Sequence, residues 1–245
     1  MRTLIVVPTY NERENIAQLI PILLRLPLQP CVLVVDDGSP DGTAEEVERW
    51  RERNPERVYL IEREGKLGLG TAYCTAFQWA LQRPFEVVVQ MDADFSHDPA
   101  DVPRLVAALE DADVVIGSRY INGVNVVNWP MGRLLLSWLA NRYTRLITGM
   151  PLADATSGFK AFRATALRRI RWEAVRSNGY AFQIEVNYRL WRAGCRLKEV
   201  PIVFVDRRSG ASKMSRRIVY EAAWRVWQLR FSTLLGNEQR YYADP

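Results

Sequence analysis

The chain has 245 residues, of which 48% are apolar and 25% are charged, and this is enough for one domain with a large core. No stretch reaches the roughly 20 apolar residues that a membrane span requires, and the N-terminus lacks a signal-peptide cleavage pattern. The net charge of +5 equals the excess of eight Lys/Arg over three acids within residues 206–240. This pattern indicates a local anionic partner and argues against general nucleic-acid binding.

Cysteine and histidine usage excludes further kinds of site. Cys31, Cys74 and Cys195 are far apart and lie in or beside apolar stretches. We interpret them as reduced core residues of a cytosolic protein, and not as a disulfide or zinc framework. His97 is the only histidine, so a histidine-based triad or a multi-histidine metal site would have to depend on it.

Apolar strands alternate with amphipathic helices in the first half of the chain. The predicted strands cover residues 3–7, 31–35, 58–61, 87–89 and 113–117. The predicted helices between them cover residues 16–23, 44–53, 72–80 and 103–109. This alternation predicts an α/β fold with a mostly parallel central sheet flanked by helices on both faces.

The second half begins with an arginine-bearing amphipathic helix over residues 131–148, inside a stretch from Arg119 to Ala153 that contains no acid. The later predicted elements are a loop at 154–160, a helix at 182–194, an edge strand at 200–205, a polar loop at 206–213 and a basic amphipathic helix at 215–235. We therefore divide the chain into a main domain, 1–213, and a C-terminal helix and tail, 214–245.

Polar turns follow the apolar strands, so they should lie along one edge of the sheet and bring Asp36, Asp37, Asp92 and Asp94 together. Asp92 and Asp94 are separated by one residue after a buried strand. Two such carboxylates repel each other unless a cation lies between them or one is protonated. They suit Mg²⁺ or Mn²⁺, with phosphate and water completing the coordination. The alternative is a polar loop in which both acids are solvated.

A glycine-rich segment, 65–70, opens the predicted helix at 72–80. It has neither the GxGxxG spacing of a dinucleotide fingerprint nor the spacing of a P-loop, which argues against NAD enzymes and P-loop NTPases. The segment either contacts phosphate or is a flexible start of the helix. Together with the acids it favours a nucleotide diphosphate bound through a metal ion, which would assist departure of the diphosphate.

Seven motifs in order carry a family resemblance: PTYNERENI, VVDDGSPDGT, GLGTAY, QMDADFSHDP, GSRY, DATSGFKAF and GYAFQIE. The chain resembles a family-2 glycosyltransferase of the GT-A fold and is most similar to the polyprenol- or dolichol-phosphate mannose synthases. The resemblance implies that residues 1–213 form a GT-A catalytic domain. It also implies metal-dependent, inverting transfer of mannose from GDP-mannose to a polyprenyl or dolichyl phosphate.

Roles of individual residues follow from the resemblance by position. It implies metal ligands at Asp92 and Asp94, where Ser96 stands in place of a glutamine that joins the metal in some relatives. It implies an acceptor-phosphate site at Arg119, Arg133 and Ser137, so that Asp92, Asp94 and Arg119 are the catalytic candidates. The implied nucleotide-sugar contacts are Pro8, Tyr10, Glu12, Asp37, Asp92, Ala93, Arg207 and Lys213, of which Arg207 and the Ser212–Lys213 pair belong to a mobile loop that closes over the donor.

Physical chemistry supports a phosphate acceptor independently. A phosphate monoester carries a charge of about −1.5 to −2 near neutral pH, so it is an anionic nucleophile and needs no catalytic base. Arginine suits its geometry. Arg133 and Ser137 are four residues apart and share a helix face. The alternative for Arg133 is a solvated helix charge.

A lipid acceptor predicts a membrane surface as a partner. We expect the chain to be peripheral at the cytoplasmic face, with the 131–148 helix at the interface or, alternatively, packed on the core. The residues expected at the membrane are Trp129, Leu135, Trp138 and Leu139, with Arg142 and Arg145 near headgroups. The terminal helix has the same two interpretations and a third, docking of a membrane-embedded subunit or of a second copy.

Other functions stay open at this point. The donor could be UDP-glucose or another nucleotide sugar, because the residues do not separate guanine from uracil. The protein could also be a non-catalytic nucleotide-sugar-binding scaffold, although the intact acid pair argues against this. A nucleotidyltransferase would leave the lipid-facing helices without a role.

Overall fold

A computed structural model describes residues 1–206, 216–236 and 238–243 of the chain. The strands are β1 (Thr3–Thr9), β2 (Cys31–Asp36), β3 (Val58–Glu62), β4 (Val87–Gln90), β5 (Val114–Ser118), β6 (Val126–Val127), β7 (Lys160–Arg163), β8 (Leu197–Pro201) and β9 (Phe204–Val205). The helices are α1 (Arg13–Leu24), α2 (Thr43–Arg53), α3 (Leu69–Leu81), α4 (Val102–Ala107), α5 (Met131–Thr148), α6 (Ala164–Leu167), α7 (Gly179–Arg192) and α8 (Arg216–Leu234).

The central sheet has the strand order β3-β2-β1-β4-β7-β5-β8. Strand β7 runs antiparallel to both of its neighbours, and the other pairings are parallel. Strands β6 and β9 form a separate two-stranded parallel sheet. The predicted mostly parallel α/β sheet is thus confirmed.

Helices cover both faces of the sheet, which explains why its strands are apolar runs without polar alternation. On one face, α1, α2 and α4 bury residues such as Leu19, Val47 and Leu105 against the strands. On the other face, α3, α7 and α8 contribute Phe77, Phe182 and Val226 among other core residues. Burial on both sides fixes the strand register and so positions the turns that follow the strands.

Three elements differ from the sequence-based expectations. The predicted loop at 154–160 ends in β7, a four-residue strand whose first residue is the buried Lys160. The predicted edge strand at 200–205 is wrong as a single element, because β8 ends at Pro201 and β9 pairs with β6 in another sheet. Helix α7 also starts earlier than residue 182, at Gly179.

Helix α8 is tied to the rest of the fold by a buried ionic cluster. The carboxylate of Glu185 is fully buried and pairs with Arg189 on its own helix and with Arg225 of α8, the latter at 2.9 Å. Burial raises the pKa of Glu185, but the two arginines outweigh burial and hold the pKa below its ordinary value. Removing one partner of such a buried ion pair lowers the stability of the protein strongly, so α8 packs as part of the fold. The division of the chain at residue 213 stays a prediction.

Candidate active site

A cleft of about 840 Å³ lies at the carboxyl ends of the parallel strands, where ligands bind in open α/β sheets. It is lined by charged and polar side chains from several turns. The lining includes Tyr10, Glu12, Lys66, Asp92, Asp94, Ser96, His97, Arg119, Trp129, Arg133, Thr156, Gly158, Tyr180, Gln183 and Phe204.

The turn at residues 91–98 after β4, called the acid turn from here on, brings Asp92 and Asp94 into this cleft. Ser96 fixes the second acid, because its backbone N–H and its hydroxyl both donate to Asp94 Oδ1, at 3.1 and 2.6 Å. Phe95 has a φ of 58°, a left-handed conformation that is uncommon outside glycine and that tightens the turn. Ser96 therefore orients an acid, which is a different role from that of a third metal ligand.

His97 holds the backbone of Asp92, the first acid of the pair. Its Nδ1 accepts the backbone N–H of Asp92 at 3.3 Å, and its ring stacks on Phe159 with centroids 4.9 Å apart. Burial lowers the pKa of His97 to about 4, so the imidazole is neutral at neutral pH and is a weak base. The single histidine thus positions the turn.

The acid pair fits a divalent cation. Gly158 faces Asp92, and a Cβ at this position would lie 3.4 Å from Asp92 Oδ2, so the missing side chain keeps the space beside the carboxylate open. In residues 1–206, 216–236 and 238–243 no cluster of three or more potential metal-ligating residues was found. Two carboxylates with space around them match the preference of Mg²⁺ or Mn²⁺ for few protein ligands plus phosphate and water.

Some of the residues predicted to contact the donor line the cleft, and others do not. Tyr10 and Glu12 line the cleft, and the Lys66 ammonium lies 3.9 Å from the centre of the Tyr10 ring. Asp37 does not line the cleft, and it is paired with Arg63 at 2.8 Å and accepts the backbone N–H of Gly68 at 3.3 Å. Asp37 therefore holds the glycine-rich segment in place.

The remaining predicted donor contacts either do not line the cleft or lie outside the described residues. Pro8 is half-buried in β1 and Ala93 is buried in the acid turn, and neither lines the cleft. Arg207, Ser212 and Lys213 lie outside the described residues. The donor roles of all of them stay predictions.

Gly70, the last residue of the glycine-rich segment, is tightly packed. The backbone N–H of Gly70 donates to Asn178 Oδ1 at 3.0 Å, and a Cβ on Gly70 would lie 2.1 Å from the carbonyl oxygen of Ser177. No other residue could occupy this position without moving the backbone. The start of α3 is thus locked against the segment that precedes α7.

Arg119 is a buried cation with a buried counter-ion. Its Nε and Nη2 each donate to Asp154 at 2.7 Å, and Nη2 also donates to Thr156 at 2.8 Å. Burial lowers the pKa of the guanidinium, but Asp154 outweighs burial and raises it. Arg119 still lines the cleft, so its guanidinium is held there in a fixed position by Asp154.

Arg133 lies beside a second, apolar cavity of about 300 Å³. Its Nη1 donates to Asp206 at 2.9 Å, and its guanidinium lies 4.1 Å from the centre of the Trp129 ring. Ser137 faces the same cavity and accepts a hydrogen bond from the Tyr120 hydroxyl at 2.7 Å. Trp129 is half-buried against Arg133, and its expected place at a membrane interface stays a prediction.

The apolar cavity lies between α5, α7 and α8 and joins the polar cleft. Four residues, Trp129, Arg133, Thr156 and Tyr180, line both spaces. The apolar wall consists of Leu136, Leu139, Ala140, Tyr143, Ile184, Ala223 and Val226. A molecule with an anionic head and an apolar chain therefore fits across the junction.

Comparison with known proteins identifies the family. The family described as "Glycosyl transferase family 2" matches residues 4–171. The chain belongs to this glycosyltransferase family. It is 45% identical over 226 residues to an undecaprenyl-phosphate mannosyltransferase of Micrococcus luteus, covering 92% of this chain and 93% of that protein. It is 44% identical over 232 residues to a polyprenol monophosphomannose synthase of Mycolicibacterium smegmatis, covering 94% and 88%.

Solved structures with different bound nucleotides share the fold of this glycosyltransferase. A Pyrobaculum calidifontis mannosyltransferase in complex with GDP-Man and Mn²⁺ has a TM-score of 0.56 at 20% identity, covering 96% of this chain and 74% of that chain. A Mycobacterium tuberculosis glucosyl-3-phosphoglycerate synthase in complex with Mn²⁺ and UDP has a TM-score of 0.63 at 20% identity, covering 96% and 79%. Both support the GT-A fold, and neither identifies the sugar donor of this enzyme.

The glycosyltransferase also contains site residues that the sequence did not reveal. Lys160 is fully buried beneath the cleft, and its Nζ donates to Gln183 Oε1 at 2.8 Å. Burial lowers the pKa of Lys160 to about 7. Gln183 also accepts from Gln90 at 2.8 Å, so the network links β4, β7 and α7 under the acid turn. Buried lysines are rare, and no local pattern indicated this one.

Proposed function

We propose that this glycosyltransferase transfers mannose from GDP-mannose to a polyprenyl phosphate, with inversion at the anomeric carbon. The observation that carries the proposal is the junction at Arg133, where a cleft containing two acids meets an apolar cavity. The names of the two relatives that are 44–45% identical support the acceptor and the sugar.

The donor end of the cleft suits a nucleotide diphosphate. Asp92 and Asp94 would hold Mg²⁺ or Mn²⁺, as the acid turn presents both carboxylates to the cleft. When bound there, the cation would offset the charge on the diphosphate as it leaves. Tyr10 and Lys66 form a cation–π pair at the same end, where an aromatic face and a positive charge can meet a base and a phosphate.

The acceptor end suits an anionic nucleophile. Arg119 and Arg133 would anchor the acceptor phosphate, whose oxygen attacks the sugar from the side opposite the diphosphate. His97 is buried and weakly basic, and no base is required because the phosphate is already ionised near neutral pH. The contribution of the chain is therefore orientation of two charged groups.

Helix α5 supports a bilayer as the surface on which the enzyme works. Its buried residues are the polar Asn141, Thr144 and Thr148, whereas Leu135 and Leu146 are 52% and 82% exposed. An outward apolar face is the opposite of a core-packed helix and is typical of interfacial helices. Helix α8 exposes Trp224, Phe231 and Leu234 in addition.

We infer peripheral binding to the cytoplasmic face of a membrane, with Arg142 and Arg145 near anionic headgroups. Among the described helices, none has the length and hydropathy to cross a bilayer. A lipid surface matches a continuous apolar face with flanking arginines better than a protein subunit does, because lipid contact requires no shape complementarity.

The decisive experiment for the proposed function is an assay with GDP-mannose, polyprenyl phosphate and Mg²⁺ or Mn²⁺. We expect a polyprenyl-phosphate mannose product and no product when the metal is chelated. A parallel thermal-shift series compares GDP-mannose, GDP and UDP-glucose. Stabilisation by UDP-glucose alone would overturn the donor assignment, and tight GDP-mannose binding without turnover on any lipid phosphate would favour a scaffold.

The apolar cavity gives a further prediction. Ala140→Trp should lower transfer to a long polyprenyl phosphate by at least about tenfold, since the indole occupies the space for the first apolar units of the acceptor. GDP-mannose should still stabilise the variant as it does the wild type. Ala107→Trp, an exposed position on α4, is the matched control, and equal losses in both variants would contradict an acceptor role for the cavity.

A further inference from the structure

We propose that Asp206 occupies the position of the acceptor phosphate in the resting enzyme, so that an incoming polyprenyl phosphate displaces it from Arg133. This inference rests on the proposed function, because it concerns the same acceptor site. It makes Asp206 a positioning residue that sets the affinity for the acceptor.

The ion pair lies where the two spaces meet. Arg133 Nη1 and Asp206 Oδ1 are 2.9 Å apart, and the two side chains are only 13% and 27% exposed. Arg133 lines both the polar cleft and the apolar cavity. Carboxylates and phosphates both accept charge-assisted hydrogen bonds from guanidinium in similar geometry, so the carboxylate of Asp206 and a lipid phosphate compete for one donor group.

Two buried donors lie in the stacked side chains of Arg133 and Trp129. Arg133 Nε and Trp129 Nε1 are buried and make no hydrogen bond among the described residues. They belong to stacked groups, since the guanidinium lies 4.1 Å from the Trp129 ring centre. A phosphate monoester carries a charge of about −1.5 to −2, against −1 for the carboxylate, so it forms the stronger charge-assisted hydrogen bond with Arg133 Nη1. The acceptor phosphate can therefore compete with Asp206 for Arg133.

Backbone contacts fix Asp206 beside the site. Its N–H donates to the carbonyl of Val127 at 3.2 Å, and the N–H of Val205 donates to the carbonyl of Ser96 in the acid turn at 3.3 Å. The exchange therefore requires rotation of the Asp206 side chain and leaves strand β9 in place. A bound phosphate must also tolerate the nearby negative charge, which adds to the cost of binding.

The test compares acceptor and donor kinetics in Asp206 variants. Asp206→Asn should lower the KM for polyprenyl phosphate about fivefold and leave the KM for GDP-mannose unchanged, because it removes both the competing ion pair and the repulsion. Asp206→Glu keeps the carboxylate and should return the acceptor KM towards the wild-type value. Asp101→Asn is the matched control, as it breaks the 2.6 Å ion pair with Arg104 on α4, outside both cavities.

Direct binding of farnesyl phosphate, measured by calorimetry without GDP-mannose, separates this inference from the proposed function. Tighter binding to Asp206→Asn than to wild type supports the inference even if wild type transfers no mannose, in which case only the proposed function fails. If wild type transfers mannose and Asp206→Asn binds farnesyl phosphate equally or more weakly, the inference is overturned alone. Damage to the fold would not tighten binding, and a similar gain in Asp101→Asn would also overturn it.

Discussion

Replacement of Asp94 by Asn is expected to reduce mannose transfer by about 10²- to 10³-fold. Asn keeps the shape of the side chain and can still accept from Ser96, which contacts Asp94 Oδ1 through two donors. It removes the negative charge that a divalent cation requires. The loss should therefore appear as weaker binding of the metal ion, with the fold intact.

The measurement pairs a transfer assay with thermal shift. Wild type should gain stability from GDP-mannose only when Mn²⁺ or Mg²⁺ is added, and Asp94→Asn should lose this metal-dependent gain. Higher metal concentration should recover part of the transfer rate. Asp98→Asn is the control, because Asp98 lies in the same motif but caps the backbone N–H of Ala100 and does not line the cleft. Full metal-dependent transfer by Asp94→Asn would contradict the assigned role.

The position of the acid pair could be predicted because it depends on strand ends alone. Apolar β-branched runs identify buried strands, and parallel strands present their carboxyl ends on one side. Asp92, Asp94 and Arg119 line one cleft as the strand ends predict, whereas Asp36 and Asp37, which we expected beside the acid pair, do not line it. Strand β7 carried no such signal, since four residues with a lysine and an arginine resemble a loop.

The partners of the arginines could not be predicted, because they come from distant parts of the chain. The stretch around Arg133 contains no acid, which suggested an unpaired cation, yet Asp206 reaches it from 73 residues away. Asp154 is likewise 35 residues from Arg119. The apolar cavity could not be predicted either, because it forms between three helices, α5, α7 and α8. The apolar periodicity of one helix does not show how it packs against the others.

Replacement of Asp154 by Asn is expected to lower the free energy of unfolding by about 3–5 kcal/mol. The change leaves the Arg119 guanidinium buried without a counter-ion, since both side chains lie almost wholly inside the fold. Burial raises the pKa of Asp154, but Arg119 and its hydrogen bonds outweigh burial and hold the pKa below its ordinary value. Urea unfolding followed by circular dichroism measures the loss, and Asp111→Asn, which breaks a surface pair with Lys198, should change it little.

The sign of the pH dependence follows from the lowered pKa. A carboxyl group with a lower pKa in the folded state contributes stability above its unfolded pKa, about 3.9, and loses it as pH falls through the folded pKa. Wild type should therefore lose this contribution below about pH 4, whereas Asp154→Asn should lack that part of the slope. An identical acid profile in both proteins would show that Asp154 is not the group responsible.

A double variant separates charge from packing at this position. Arg119→Met combined with Asp154→Asn removes both buried charges and keeps an acceptor for the backbone N–H of residue 119, which contacts Asp154 Oδ2 at 3.0 Å in the wild type. Because replacing a whole buried ion pair is often neutral, the double variant should recover most of the stability that Asp154→Asn loses. It should not recover mannose transfer, since the guanidinium of Arg119 is gone from the cleft. Recovery of both would mean that the Arg119–Asp154 pair serves the fold alone.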